Sequence, residues 1–382
     1  MNKSDSREPS DASRLTVVGD VMPGRKVALS LAQLGLAQAV QRIRNVLGDA
    51  PAVGNLECPL SDAPPKTALK QDGSPNLYAA PSLAPFLRDA GFLVLSLANN
   101  HALDCEPAGL IQTIDALTSA GIQSVGAGRN ITEALQPAML DINNRRVALL
   151  AFGNGRPAGE DTPGVAPFQS AALRRGLSGM RKRADAVIVL VHAGLEFLPH
   201  PESWTRNFAR EALSCGADAV LGGHPHCIRG IWRGSDGPIA YGLGDFLADT
   251  ADPESLVPHL TRTALTNLGF SVDPSLCRQG LVAQLTIAKP HRVECDVRPI
   301  LIDDDFLPGF PKPQQQQMLE STIESLSAAI ADRNSEGCRL ARQVESAYRQ
   351  VYDPPRTLRT MLTMPLRVRP RHIGDLWRRI TG

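Results

Sequence analysis

No stretch of this sequence is apolar for long enough to cross a bilayer. Its longest apolar runs, such as Ala186–Val191 and Val147–Phe152, fall far short of the roughly 18 residues a span needs. The N-terminal stretch MNKSDSREPSDASR is also without an apolar run, so no secretory signal is expected. The expected location is cytoplasmic, or peripheral to the inner membrane face. Net charge is nearly absent, with 40 Lys and Arg against 39 Asp and Glu, so no global field recruits nucleic acid or an anionic surface. Aromatics are scarce at 4%, which weakens base stacking, and no nucleic-acid partner is expected. The seven Cys contain no CxxC pair. That excludes a structural zinc ribbon and a disulfide framework, and leaves small buried thiols.

What the chain has is turns and short strands. It carries 32 Gly and 30 Pro in 382 residues, and a 43% apolar content that rules out general disorder. From Leu15 to about Pro299, β-branched runs alternate with helical stretches, first one for one and then with strands predominating. LTVVG at Leu15–Gly19 reads as a buried strand, followed by one helix over Lys26–Leu47. The order predicts a layered α/β domain over residues 15–302 with a mixed sheet or a pair of sheets. Residues 1–14 are expected to be disordered, 303–313 to be a linker, and 314–352 to form a long helix or helical pair. Residues 353–382 hold seven Arg and two Asp. This basic tail is either a solvated extension or a contact for a membrane surface or protein partner, although Pro365 and Pro370 interrupt any amphipathic helix there.

Five apolar runs each end in a side chain able to bind a metal. LTVVG leads into Asp20, AVGNL into Glu57, LVLSLAN into Asn100 and His101, AVIVLV into His192, and AVLGG into His224 and His226. In sheets with helical crossovers, ligands bind beyond the carboxyl ends of strands, so these residues are expected to converge. Carboxylate, amide and imidazole together suit one or two divalent ions such as Mn, Fe or Zn. A carboxylate bridging two ions would serve in-line displacement at phosphorus, with a free His protonating the leaving oxygen.

The segments GDVMPGR, GNLECPLS, PNLYAAP, LANNHALD, SVGAGRN, VHAGLEF, GGHPHCIRG and YGLGDF, in that order, resemble the capsule-synthesis CapA family. This family is also known as poly-γ-glutamate synthesis or PGA_cap, and it belongs to the calcineurin-like metallophosphoesterases. The resemblance covers about Leu15 to Ile302. It implies a four-layer αββα sandwich of the metallophosphoesterase type, here with a helical C-terminal extension. It also implies that Asp20 and His226 bind a first metal, that Glu57 bridges, and that Asn100, His192 and His224 bind a second. His101 would be the proton donor or transition-state stabiliser. The wider superfamily has a His two residues after the first Asp, where this chain has Met22, a poor ligand for such ions.

Several residues near these motifs keep two readings. Asp245, where many relatives have Asn, either orients a metal-binding imidazole or caps a turn. Glu196 is either an active-site carboxylate or a solvated loop residue. Arg25 and Arg129 are candidates to contact an anionic substrate, and Gly126 and Gly128 either allow its close approach or form a tight turn. The expected function is metal-dependent hydrolysis, of a phosphoester in the first instance, linked to capsule, poly-γ-glutamate or exopolysaccharide synthesis. The expected partner is an anionic small molecule or polymer. The alternatives are a non-catalytic accessory factor for making or exporting such a polymer, and a metal-dependent amide hydrolase or transferase.

Overall fold

The computed structural model describes residues 13–70, 74–250, 273–332 and 335–352. The basic tail and residues 1–12 lie outside that range. Strands β1 (Ser13–Val21), β2 (Ala52–Leu56), β3 (Phe92–Ser96) and β4 (Gln123–Val125) run parallel. The short β5 (Ala127–Gly128) pairs with β8 (Gly164–Val165). A second sheet contains β6 (Ala138–Ile142), β7 (Arg145–Gly153), β9 (Ala186–His192), β10 (Ala219–Gly223), β11 (Ile231–Gly234) and β12 (Gly237–Ala240), in the order β11-β12-β10-β9-β7-β6. The chain then returns to the first sheet. There β13 (Asp245–Leu247) runs parallel beside the end of β1. Strands β14 (Gln279–Lys289), β15 (Arg292–Ile302) and β16 (Pro308–Gly309) complete the order β16-β15-β14-β1-β2-β3-β4.

Side-chain alternation sorts the apolar residues into three layers. On β7, Val147, Leu149 and Ala151 join Leu15, Val17, Ile188 and Leu221 between the two sheets. Ala148, Leu150 and Phe152 turn the other way, onto Leu173, Phe208 and Leu213 of the helices Ser170–Leu177 and Ser203–Ser214. On the outer face of the first sheet, Val18 and Val21 pack with Val27, Leu31, Ile43 and Leu87. Helix, sheet, sheet and helix are therefore stacked, the four-layer αββα arrangement.

The local outlines differ from expectation in three places. The helix expected over Lys26–Leu47 is two, Arg25–Leu34 and Leu36–Leu47, broken at Gly35, whose φ of 87° is left-handed. Strand β1 begins at Ser13, whose buried Oγ donates to the carbonyl of Ile142, so Ser13 and Arg14 belong to the sheet. The 303–313 segment is packed rather than open. Leu307 is buried, Pro308–Gly309 pairs with β15, and Asp303 and Asp305 accept ion pairs from Arg42.

The helices Pro313–Ala331 and Glu336–Tyr352 dock on the body. Ser327 Oγ accepts from the backbone N–H of Ile231 at 2.9 Å, and Arg206 Nη2 donates to the carbonyl of Ile330 at 3.1 Å. Ala341 and Val344 pack with Leu195, Phe197 and Leu198. No described helix is long and apolar enough to cross a membrane. All seven cysteines are free, and six of them are buried.

Candidate metal centre

Parallel strands from both sheets end at the same place, and the expected residues meet there. Asp20 on β1 lies opposite Asn55 on β2 and opposite Asp245 on β13. Asn55 and Glu57 are two residues apart, so the pleat sends both side chains to one side of the sheet. From the other sheet come His192, the last residue of β9, and the GGHPH turn after β10. His224 and His226 take φ values of 91° and 51° on either side of Pro225, a strained arrangement of the kind that collects at functional sites.

The contacts are close. Asn55 Nδ2 donates to Asp20 Oδ1 at 2.8 Å and lies 3.0 Å from His192 Nδ1. The other oxygen, Asp20 Oδ2, accepts from the backbone N–H of His224 at 3.0 Å. His192 Nε2 lies 2.9 Å from Asn100 Oδ1, 3.2 Å from Glu57 Oε1 and 3.2 Å from His224 Nδ1. His226 Nε2 is 3.8 Å from the same Glu57 oxygen, and its Nδ1 is 2.8 Å from Asp245 Oδ1. Two groups of ligand atoms fall out of this, Glu57 with His192 and His224, and Asp20 with His226 and Asp245.

Gly223 makes room for this convergence. A Cβ there would sit 2.8 Å from Asp20 Oδ1. Gly223→Ala is expected to push Asp20 off its position and to destabilise by about 1–3 kcal/mol, the range for overpacking. Urea denaturation gives the stability change, and loss of metal uptake alongside it reports the displaced carboxylate.

The electrostatics are those of a crowded anionic pocket. Burial pulls His192 down, but Glu57 and Asp20 outweigh it and carry its pKa to about 9. Burial likewise opposes the charge on Asp20, yet the neighbouring His192 holds its pKa below the usual carboxylate range. His224 is pushed well below the ordinary value by burial and then by the neighbouring His192 and His226. Burial also opposes the charge on His226, but Asp245 and Glu57 raise it well above normal. Burial takes Asp245 the other way, to about 6, against the pull of His226. Glu57 Oε1, Glu57 Oε2 and Asp245 Oδ2 are buried with no hydrogen-bond partner among the described residues. Such acceptors are costly to leave unsatisfied, and a cation satisfies them. The donor set is thus compatible with divalent metal.

His101 stands at the edge of the pocket. Its Nδ1 lies 2.6 Å from Asp104 Oδ2, while Lys70 Nζ is 2.9 Å from Asp104 Oδ1 and donates to the Asn100 carbonyl. Beneath the pocket, Phe197 stacks on the His226 ring with centroids 5.9 Å apart. Its loop is pinned by Arg229, which donates to the carbonyls of Leu195 and Leu198 and pairs with Glu202 at 2.9 Å, both charges fully buried.

The remaining candidates have other contacts or other surroundings. Arg129 makes exposed ion pairs with Asp115 and Glu133 and touches none of the cluster. Arg25 pairs with buried Asp249. Glu196 is buried, which removes the solvated-loop alternative. Gly126 has a φ of 82° and its Cβ would lie 2.6 Å from the Ala98 Cβ, which favours the turn. Asp245 reaches the cluster from a strand rather than capping a turn. Sequence reasoning missed Asn55, Asn99, Asp104 and Lys70 as parts of the site. Asn55 and Asp104 could have been found by spacing, at i−2 from Glu57 and i+3 from His101; nothing local marks Lys70.

Residues 14–250 match the family model described as bacterial capsule synthesis protein PGA_cap. The capsule biosynthesis protein CapA of Bacillus anthracis is 31% identical over 244 residues, 62% of this chain and 59% of that protein. The PGA biosynthesis protein CapA of Bacillus subtilis (strain 168) is 31% identical over 245 residues, 63% and 64% of the two chains. A probable polyglutamine synthesis accessory protein of Mycobacterium tuberculosis is 34% identical over 174 residues, 41% and 45% of the two. The chain thus spans less than two thirds of the length of the curated relatives it matches. Among solved structures, a phosphatase from Mycoplasma pneumoniae covers 81% of this chain and 98% of its own at 12% identity and a TM-score of 0.45, a likeness too distant to bear on function. With the family model spanning well over half of the chain and ending just beyond the buried cluster, the protein belongs to the PGA_cap family of bacterial capsule synthesis proteins.

Proposed function

We propose that this chain is a metal-dependent phosphoester hydrolase acting in the synthesis of an anionic polymer of the capsule or poly-glutamate type. The observation that carries the chemistry is Glu57, whose two buried oxygens have no hydrogen-bond partner among the described residues and whose Oε1 stands between His192 and His226. Asp20 and His226 would hold one divalent ion and Asn100, His192 and His224 another, with Glu57 shared. Such ions supply Lewis-acid polarisation of a phosphoryl oxygen and lower the pKa of a water. The relatives' names support the polymer class.

His101 handles the proton. With Asp104 fixing a proton on Nδ1, Nε2 is left to pass one to the departing oxygen. Burial and then Lys70 hold His101 below its usual 6.5, against the opposing pull of Asp104. Its acid form is therefore depleted as pH rises through the range below 6.5, and hydrolysis declines in step. The test is the pH profile of kcat/KM on an aryl phosphate with Mn2+. His101→Ala is expected to lose about 10²–10⁴-fold in rate with metal content unchanged. Lys70→Met is expected to move the alkaline limb to higher pH. A His101→Ala enzyme of full activity would remove His101 from the chemistry, and a metal-loaded wild type that hydrolyses no phosphoester would sink the hydrolase.

One observation favours the non-catalytic accessory role. Met22 is buried in the apolar layer and brings no ligand to the centre. Complementation of a polymer-deficient strain by the His101→Ala, Glu57→Ala double variant separates the two, since rescue by it makes catalysis dispensable.

A further inference from the structure

The two halves of the centre are unequally furnished. Around the second position stand Asn100, His192 and His224, besides the shared Glu57. Around the first, Asp20 and His226 leave a ligand wanting, and Met22, two residues after Asp20, is committed to the apolar core with Leu31 and Phe246. What faces Asp20 across the strand pair is Asp245. It is fully buried, and its two oxygens are not equivalent. Oδ1 meets His226 Nδ1 at 2.8 Å, whereas Oδ2 has no hydrogen-bond partner among the described residues.

We propose that Asp245 is a direct ligand of the first metal position, beside Asp20 and the Nδ1 of His226, its carboxylate supplying the donor that Met22 does not. This rests on the metal-centre reading above. An orienting role alone would use one oxygen and leave the other buried and unsatisfied, at the full desolvation cost of an ionised acceptor. Direct ligation satisfies that oxygen, and the donors are close enough to share an ion, with His226 Nδ1 2.8 Å from Asp245 Oδ1 and 3.9 Å from Asp20 Oδ2. The charge count agrees. Asp20, Glu57 and Asp245 put three carboxylates in a site with few fixed cations, a match for two divalent ions. The composition also becomes asymmetric, since the first position is rich in carboxylate oxygen and the second in imidazole. Harder ions such as Mn2+ are then favoured at the first and borderline ions such as Zn2+ at the second.

The test counts metal rather than turnover. The full chain is stripped with chelator, titrated with Mn2+, and assayed for bound metal by mass spectrometry and for coupled ions by electron paramagnetic resonance. Wild type is expected to take up two equivalents with a spin-coupled signal. Asp245→Ala is expected to retain one equivalent, uncoupled. Asp245→Asn should lose first-site affinity by more than the roughly 10–100-fold typical of a residue that only orients a ligand. Anomalous diffraction from wild-type crystals soaked in Mn2+ decides independently of how the variants fold. A carboxylate oxygen of Asp245 within about 2.5 Å of the ion supports ligation. A Mn2+-loaded wild type with Asp245 out of coordination range, or an Asp245→Ala chain that keeps two coupled ions, overturns the assignment while leaving the metal centre intact. A wild type that takes up no metal overturns the centre itself.

Discussion

Glu57→Gln is expected to empty both metal positions at working concentrations and to lower phosphoester hydrolysis on the order of a thousandfold or more, beyond the 10–100-fold that removal of an outer partner costs. The change is nearly isosteric, so the fold should persist, but it removes a carboxylate whose Oε1 lies near imidazoles of both halves. Thermal unfolding gives a second measure. A metal held at 100 times its dissociation constant stabilises by about 2.7 kcal/mol, which is on the order of 5–10 °C for a domain of this size. Wild type should show that shift and Glu57→Gln should not. The pH dependence carries a definite sign. His192 is raised to about 9 by Glu57 and Asp20 against burial, so it is protonated at neutrality and must release that proton to bind metal. Metal affinity of the wild type should rise with pH through neutrality, since His226 is raised as well and must also give up its proton, as measured by calorimetry in buffers of different ionisation enthalpy. Equal metal content in Glu57→Gln and wild type would remove the basis for the centre.

The second large effect lies beneath the site. Arg229→Met is expected to destabilise by about 3–5 kcal/mol, because it strands the fully buried carboxylate of Glu202. That carboxylate also accepts from the Leu195 N–H at 2.7 Å and from Thr205 Oγ1 at 2.6 Å, so it cannot swing out without breaking the loop. With Arg229 gone, the carbonyls of Leu195 and Leu198 lose their donors too, and Phe197 loses its seat on His226. Urea denaturation of the metal-free protein measures the first effect, and metal affinity measures the second. The Arg229→Met, Glu202→Gln double variant should recover part of the loss, the signature of a coupled buried pair. A single variant within about 0.5 kcal/mol of wild type, the range for neutral surface changes, would show that the loop is held by other contacts.

The C-terminal helices close the molecule against this same loop. Ala341 and Val344 back the same loop, and Glu345 accepts from the Ser203 hydroxyl at the start of the helix Ser203–Ser214. The 314–352 region is therefore structurally continuous with the support of His226.

Much of the fold was legible in the linear order. Runs such as Val147–Phe152 and Ala186–Val191 are short and apolar at every position, which is how a strand covered on both faces reads. The candidate metal-binding side chains were legible for the same reason, since each sits where an apolar run stops: Asp20 near the end of β1, Glu57 after β2, His192 closing β9. What local pattern could not supply was pairing. That Asp245 lies beside Asp20 depends on a short strand joining the first sheet some 220 residues later, and two oxygens of one carboxylate become unlike only once His226 is packed against one of them. Lys70 beside Asp104, and Arg229 beneath the 194–198 loop, are likewise products of chain return. The sequence by itself determined which residues are buried in strands and which donors stand at strand ends, because hydrophobic periodicity is a local property. Only the tertiary structure decided which donors share one ion and which polar atoms are left without a partner, because both depend on distances between segments far apart in the chain.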